Sequence, residues 1–116
     1  MANPVAFFEI TSEDAPRAQA FHADLFGWQM TPDDEGFALV DTGAGADAVG
    51  GGIGPSTSPG DTGVKIYVRV DDLPGHLDKA SALGGTVILP PSDLPGGYGR
   101  IAAFLDPDGN AVGLWA

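Results

Sequence analysis

Apolar and polar positions along the chain follow one scheme, and the scheme occurs twice. Residues 5–10, VAFFEI, form an apolar, strand-like run. After Asp14-Ala15-Pro16 comes a helical stretch, RAQAFHADLF, in which Ala18, Phe21 and Leu25 recur at helical spacing, and Gly27 follows it. Residues 64–70, VKIYVRV, open the second half in the same way. They are followed by Asp72-Leu73-Pro74, by GHLDKASAL with Leu73, Leu77 and Ala80 on one stripe, and by Gly84. Each Asp can cap its helix, each Pro falls in the first turn where its missing N–H is no loss, and each Gly suits the left-handed residue that stops a helix. The two stripes are expected to pack on a sheet. Three short strands fit after each helix: WQMT, FALVDT and DAVGGGI in the first half, TVILP, RIAAFLD and NAVGLWA in the second. The pattern predicts two βαβββ modules in a single 1–116 domain, module one at about 1–54 and module two at about 64–116. GPSTSPGDTG, residues 54–63, joins them as a Gly-, Pro- and Ser-rich link.

Composition narrows the function classes. A chain of 116 residues suits one core. No apolar run is long enough to span a bilayer, and MANPVAFFEI lacks the basic-then-apolar order of a signal peptide, so a cytoplasmic location with no membrane partner is expected. The absence of cysteine removes disulfide and thiolate chemistry. Sixteen acidic residues against five basic ones give a net charge of −11, and 13 of the acids are Asp scattered along the chain. Nucleic acid is excluded as a partner on that balance, because phosphate binding needs a Lys/Arg stripe. Dispersed Asp serves solubility and also favours cationic small molecules.

Three segments, FFEITSEDAPRAQAFHADLFGW, KIYVRVDDLPGHLDKASALGG and FLDPDGNAVGLW, resemble the vicinal oxygen chelate superfamily, which includes glyoxalase I, extradiol dioxygenases and bleomycin resistance proteins. The resemblance covers nearly the whole chain. It implies an α+β fold in which two tandem βαβββ modules form a curled mixed sheet around a cleft, with the helices outside. A homodimer is implied as well. Metal-dependent members carry His, Gln or Glu on the first and last strand of each module, and the matching positions here are Phe7, Gly50, Lys65 and Gly113. A phenyl ring and two glycines offer no lone pair, and an ammonium must lose a proton before it can bind a cation. No metal and no cofactor are expected on that reading. His22 and His76 fall on the helices, away from the cleft, where packing and solvent exposure account for them.

Strand parity sorts the remaining side chains. Ile66, Val68 and Val70 are expected to face the helix, leaving Lys65, Tyr67 and Arg69 for the cleft. By the same alternation Phe8 and Ile10 turn to the helix and Phe7 and Glu9 to the cleft, while Val112 and Leu114 go to the core and Gly113 and Trp115 to the cleft. Trp28 is a further candidate for the lining, and Tyr98, in the loop PPSDLPGGYG at 90–99, is a candidate lid. Glu9 is expected to pair with Arg69 or Lys65. The ligand-binding set is thus Phe7, Glu9, Lys65, Tyr67, Arg69, Tyr98 and Trp115. An aromatic lining with a few charges suits a flat organic ligand, so the leading expectation is a metal-free protein that binds or sequesters an aromatic or cationic small molecule. The alternatives are a glyoxalase-like lyase or isomerase or a dioxygenase, either metal-dependent or using Lys65 as base or Schiff-base amine, and an interaction domain with no ligand.

Overall fold

The computed structural model describes residues 2–56 and 63–116. Part of the proposed link, residues 57–62, lies outside the described residues. The chain runs β1 (Val5–Ser12), α1 (Ala15–Phe26), β2 (Gln29–Pro32), β3 (Ala38–Asp41), β4 (Gly50–Pro55), β5 (Gly63–Arg69), α2 (Leu73–Ala82), β6 (Thr86–Asp93), β7 (Arg100–Leu105) and β8 (Ala111–Trp115), with a short 3₁₀ turn at Pro95–Gly97. The order βαβββ therefore occurs twice. The chain divides into two compact units, residues 7–64 and residues 65–116 together with 1–6.

In the first unit the strands lie in the order β2-β3-β4-β1, and in the second in the order β5-β8-β7-β6. In both, the opening strand runs parallel to the closing one, with Phe7 beside Gly50 in β1/β4 and Tyr67 beside Gly113 in β5/β8, and the other pairs are antiparallel. A parallel neighbour needs a crossover, which each helix supplies.

Local chemistry frames the helices as the sequence predicts. The Asp14 carboxylate accepts from the Arg17 N–H at 3.2 Å, and Asp72 does the same for Gly75 at 3.1 Å. Pro16 and Pro74 occupy the first turns, and Gly27 stops α1 at φ 71°, ψ 21°, a left-handed conformation open to glycine at little cost. One turn design is used twice. Asp33 accepts from the N–H groups of Glu35 and Phe37, and Asp106 from those of Asp108 and Asn110. In both loops a glycine follows three residues after the Asp, at φ 85° and 87°.

The stripes meet different fates. In the second unit Leu73 and Leu77 are buried with Val70, Ala102 and Leu114, and Val68 and Phe104 pack against them. Each of the buried leucine and valine side chains contributes about 1.5–3 kcal/mol. Ile66 stays 40% exposed and does not join this core. In the first unit the expected stripe is overturned: Phe21 is 61% and Leu25 60% exposed. The side of α1 that packs carries Ala15, which is buried, and Gln19, whose Nε2 donates to the carbonyls of Ile53 (2.8 Å) and Gly36 (3.0 Å). Small residues and an amide that reaches a carbonyl within β4 and one in the β2–β3 turn let the helix lie close, above a core of Ala38, Val40 and Ile53. A second difference concerns residues 90–99. Pro90 to Asp93 continue β6 through irregular pairing with β7, so the loop proper is shorter than expected.

Candidate ligand-binding face

Parity on β5 and β8 divides the second unit's sheet into two faces. Val68, Val70 and Leu114 turn to α2. Lys65, Tyr67, Arg69, Gly113 and Trp115 share the opposite face. Two stacked pairs form there. The Arg69 guanidinium carbon lies 4.2 Å from the centroid of the Trp115 ring, and the Lys65 ammonium 5.4 Å from that of Tyr67. Both distances fall within cation–π range. Trp115 is fixed further by its indole N–H, which donates to the Tyr98 carbonyl at 2.8 Å. The loop bearing Tyr98 is tied at its base by Leu94 N–H to Gly99 O (2.8 Å) and by Arg100 to Asp93 (3.0 Å). The Tyr98 ring is 64% exposed.

Gly113 now has a structural reason. A Cβ at this position would fall on the ring of Tyr67, which is itself buried. The register places Tyr67, not Lys65, beside Gly113. The closing strand is thus bare because an aromatic ring uses the space.

In the first unit Phe7 and Glu9 lie on β1 in register with Gly50 and Gly52 of β4. A residue not anticipated from sequence shares their side. The Phe37 ring lies over Gly52 and Gly54, where a Cβ on either would collide with it. On the other side of β4 the ring of Phe8 occupies the space at Gly51. The signal for Phe37 was the run GGGIG itself, since a strand stripped of side chains leaves room for rings from its neighbours. Trp28, proposed for the lining, belongs to the helix side. Its ring packs on Phe8 at 5.4 Å and Phe26 at 4.8 Å and stacks on His22 at 5.9 Å, 12° from parallel. His22 is held in turn by its Nδ1–H, which donates to the Ala18 carbonyl at 2.8 Å. His76 makes the same bond to Asp72 at 2.9 Å. Both histidines sit on the helices, His22 among these rings and His76 bordering a cleft on the helix side of the second unit.

A cleft of about 380 Å³ opens on the helix side of the second unit, over Val68, Val70, Ala80, Leu83, Phe104 and Leu114. The repeat explains it. Asp14 and Asp72, which start the two helices, are 58 residues apart, and the same offset sets His22 against Ala80 and Phe26 against Gly84. Where one unit stacks rings, the other has small residues. This cleft does not touch the face that carries Tyr67, Arg69 and Trp115.

The four positions that would bear metal ligands do not fit that task. Phe7 and Gly50 are neighbours across β1/β4 yet supply a ring and a hydrogen atom, Gly113 is covered by Tyr67, and Lys65 lies along that ring. Among the described residues no group of three or more His, Asp or Glu side chains is placed to hold an ion. Asp106 is held below the usual carboxylate value of 3.8, first by the Asn110 side-chain amide, which reaches both its oxygens at 3.2 and 3.0 Å, and then by turn N–H groups. It belongs to the turn before β8. Among the described residues no helix is long and apolar enough to cross a membrane.

Known proteins share this architecture. The profile of the glyoxalase-like domain family matches residues 7–114. A protein of Mycobacterium bovis named "Putative glyoxylase CFP32" is 31% identical over 113 residues, covering 92% of this chain and 43% of its own length. The anthracycline biosynthesis protein DnrV of Streptomyces peucetius is 28% identical over 132 residues, covering 95% of this chain and 46% of its own. The chain therefore spans less than half the length of the curated relatives it matches. A crystal structure of a glyoxalase/bleomycin resistance protein/dioxygenase superfamily member from Vibrio splendidus superposes with a TM-score of 0.62 at 19% identity, covering 97% of both chains. With a family profile matched over almost all its residues and the paired βαβββ architecture to go with it, the chain belongs to the glyoxalase-like domain family.

Proposed function

We propose that this glyoxalase-like protein binds a small planar aromatic compound, with no metal at the four strand positions, on the face formed by Lys65, Tyr67, Arg69 and Trp115. The observation that carries the reading is the Arg69–Trp115 stack beside the Lys65–Tyr67 pair. Aromatic planes offer area for stacking at small entropic cost, and a guanidinium held over an indole can present its N–H fork to an oxygen on the ligand's rim. The cations favour an aromatic ligand with carbonyl, phenolate or carboxylate oxygens. A relative named for anthracycline biosynthesis is consistent with that chemistry, since anthracyclines are flat and oxygen-rich. Tyr98 is proposed as a ring able to cover a bound plane.

Titration with anthraquinone-2-carboxylate, followed by Trp fluorescence, tests the proposal. The expected result is saturable quenching that weakens about tenfold or more in Arg69→Ala and in Trp115→Leu, a loss of the order of one charge-assisted or stacking contact. Trp28 is the second fluorophore, so Trp115→Leu is read by calorimetry. Unsaturable quenching, or equal affinity in both variants, would overturn the assignment.

A further inference from the structure

The cleft on the helix side of the second unit marks a place where the repeat loses side-chain volume. In the first unit His22, Phe26 and Trp28 form a stack, with Phe26 4.8 Å and His22 5.9 Å from the Trp28 ring. The residues 58 positions on are Ala80, Gly84 and Thr86, so three rings give way to a methyl group, a hydrogen atom and a short hydroxyl side chain. What remains is a recess of about 380 Å³ lined by Val68, Phe104 and Leu114, and by Leu83, which is 71% exposed. Such a volume falls within the range of small-molecule sites, about 300–1,000 Å³. An apolar cavity of about 150 Å³ already takes up benzene, so there is room here for two fused rings and a short polar arm.

We propose that this cleft is a second small-molecule site, and that its ligand is an uncharged aromatic compound of two fused rings carrying a short polar arm. The ligand's rings take the place that side-chain rings fill in the sister unit, against Val68, Phe104 and Leu114, and Leu83 loses water as they settle beside it. Charge selects the neutral form. The polar side chains that line the cleft are Asn3, His76, Lys79 and Asp106, in which one cation offsets one carboxylate. Asp106 is already engaged by the Asn110 amide at 3.2 and 3.0 Å, which leaves a ligand cation facing Lys79. An acid is opposed by the net charge of −11. A neutral amide or hydroxyl arm meets neither objection, and it can accept from Lys79 or exchange hydrogen bonds with Asn3. The selectivity is thus opposite to that of the face bearing Arg69 and Trp115, where two cations favour an anionic plane.

Backbone amide NMR titrations with indole-3-acetamide, indole-3-acetate and tryptamine test this, since the three share one ring system and differ in charge. The amide is expected to shift the resonances of Ala80, Leu83, Phe104 and Leu114 saturably, with a dissociation constant of about 0.1–1 mM, as befits a ligand of this size. The acid and the amine should each bind at least about threefold more weakly, the scale of an exposed charge interaction. Ala80→Phe, which returns a ring to the recess, should weaken the amide about tenfold or more while far-UV circular dichroism shows the helix intact. Leu83→Ser changes an exposed side chain that the fold does not bury, and should weaken the amide about threefold. Absence of saturable shifts at these four residues, shifts confined to Tyr67, Arg69 and Trp115, a charged analogue that binds more tightly than the amide, or undiminished affinity in a folded Ala80→Phe or in Leu83→Ser would each overturn the proposal.

Discussion

At the scale of single residues, small side chains and turn carboxylates explain most of what is unusual here. Gly113 is bare because Tyr67 lies over it. Gly113→Ala is expected to lower stability by about 1–3 kcal/mol, the usual cost of overpacking, measured by urea denaturation. An unchanged midpoint would mean that the ring moves freely. Asp106 offers a second test. Its carboxyl is depressed below 3.8, chiefly by Asn110, so its contribution to stability is present above that value and is lost as the pH falls through the lower, folded-state value. Removing the amide in Asn110→Ala should raise the Asp106 titration midpoint toward the ordinary value, as read by carboxyl NMR, and should flatten the acid dependence in that window.

Elements are set by caps and by alternation, which act over a few residues and are therefore legible without a fold. Asp14, Asp72, Pro16, Pro74 and Gly27 perform in the structure the roles their positions suggest. The side on which α1 packs was not legible. Ala18, Phe21 and Leu25 make a plausible core stripe, yet the helix lies on its small side and uses Gln19 to reach two carbonyls. Gln19→Ala should therefore cost about 1–2 kcal/mol, more than a typical helix-surface change, in thermal or urea unfolding. In α2 the stripe and the core agree, and Leu77→Ala should cost about 2–5 kcal/mol. A loss below 1 kcal/mol at Leu77 would contradict its burial.

For the whole molecule, family membership follows from a profile matched over residues 7–114, while the chemistry depends on what stands at particular strand positions. Phe7, Gly50, Lys65 and Gly113 supply no ready lone pair. Equilibrium dialysis against zinc, nickel, manganese and ferrous ions is expected to leave less than about one tenth of an ion per chain bound at neutral pH, because a ring, two glycines and a lysine stand where ligands would be needed. Stoichiometric binding abolished by Glu9→Gln would contradict this and favour a metal-dependent reaction.

The sequence by itself determined the doubled βαβββ order, the framing of both helices and the alternation that puts Tyr67, Arg69 and Trp115 on one face and Val68, Val70 and Leu114 on the other. These follow from hydrogen bonds and side-chain periods that close within a few residues. Only the tertiary structure decided that Tyr67 covers Gly113, that Phe37 covers Gly52 and Gly54, that Arg69 stacks on Trp115 and that Phe21 and Leu25 face outward. Each of the three ring contacts joins residues far apart in the chain, and the orientation of α1 depends on which side fits the strands beneath it. Register and packing between distant segments fix such choices: a bare run such as GGGIG marks room for a ring but does not say which ring fills it.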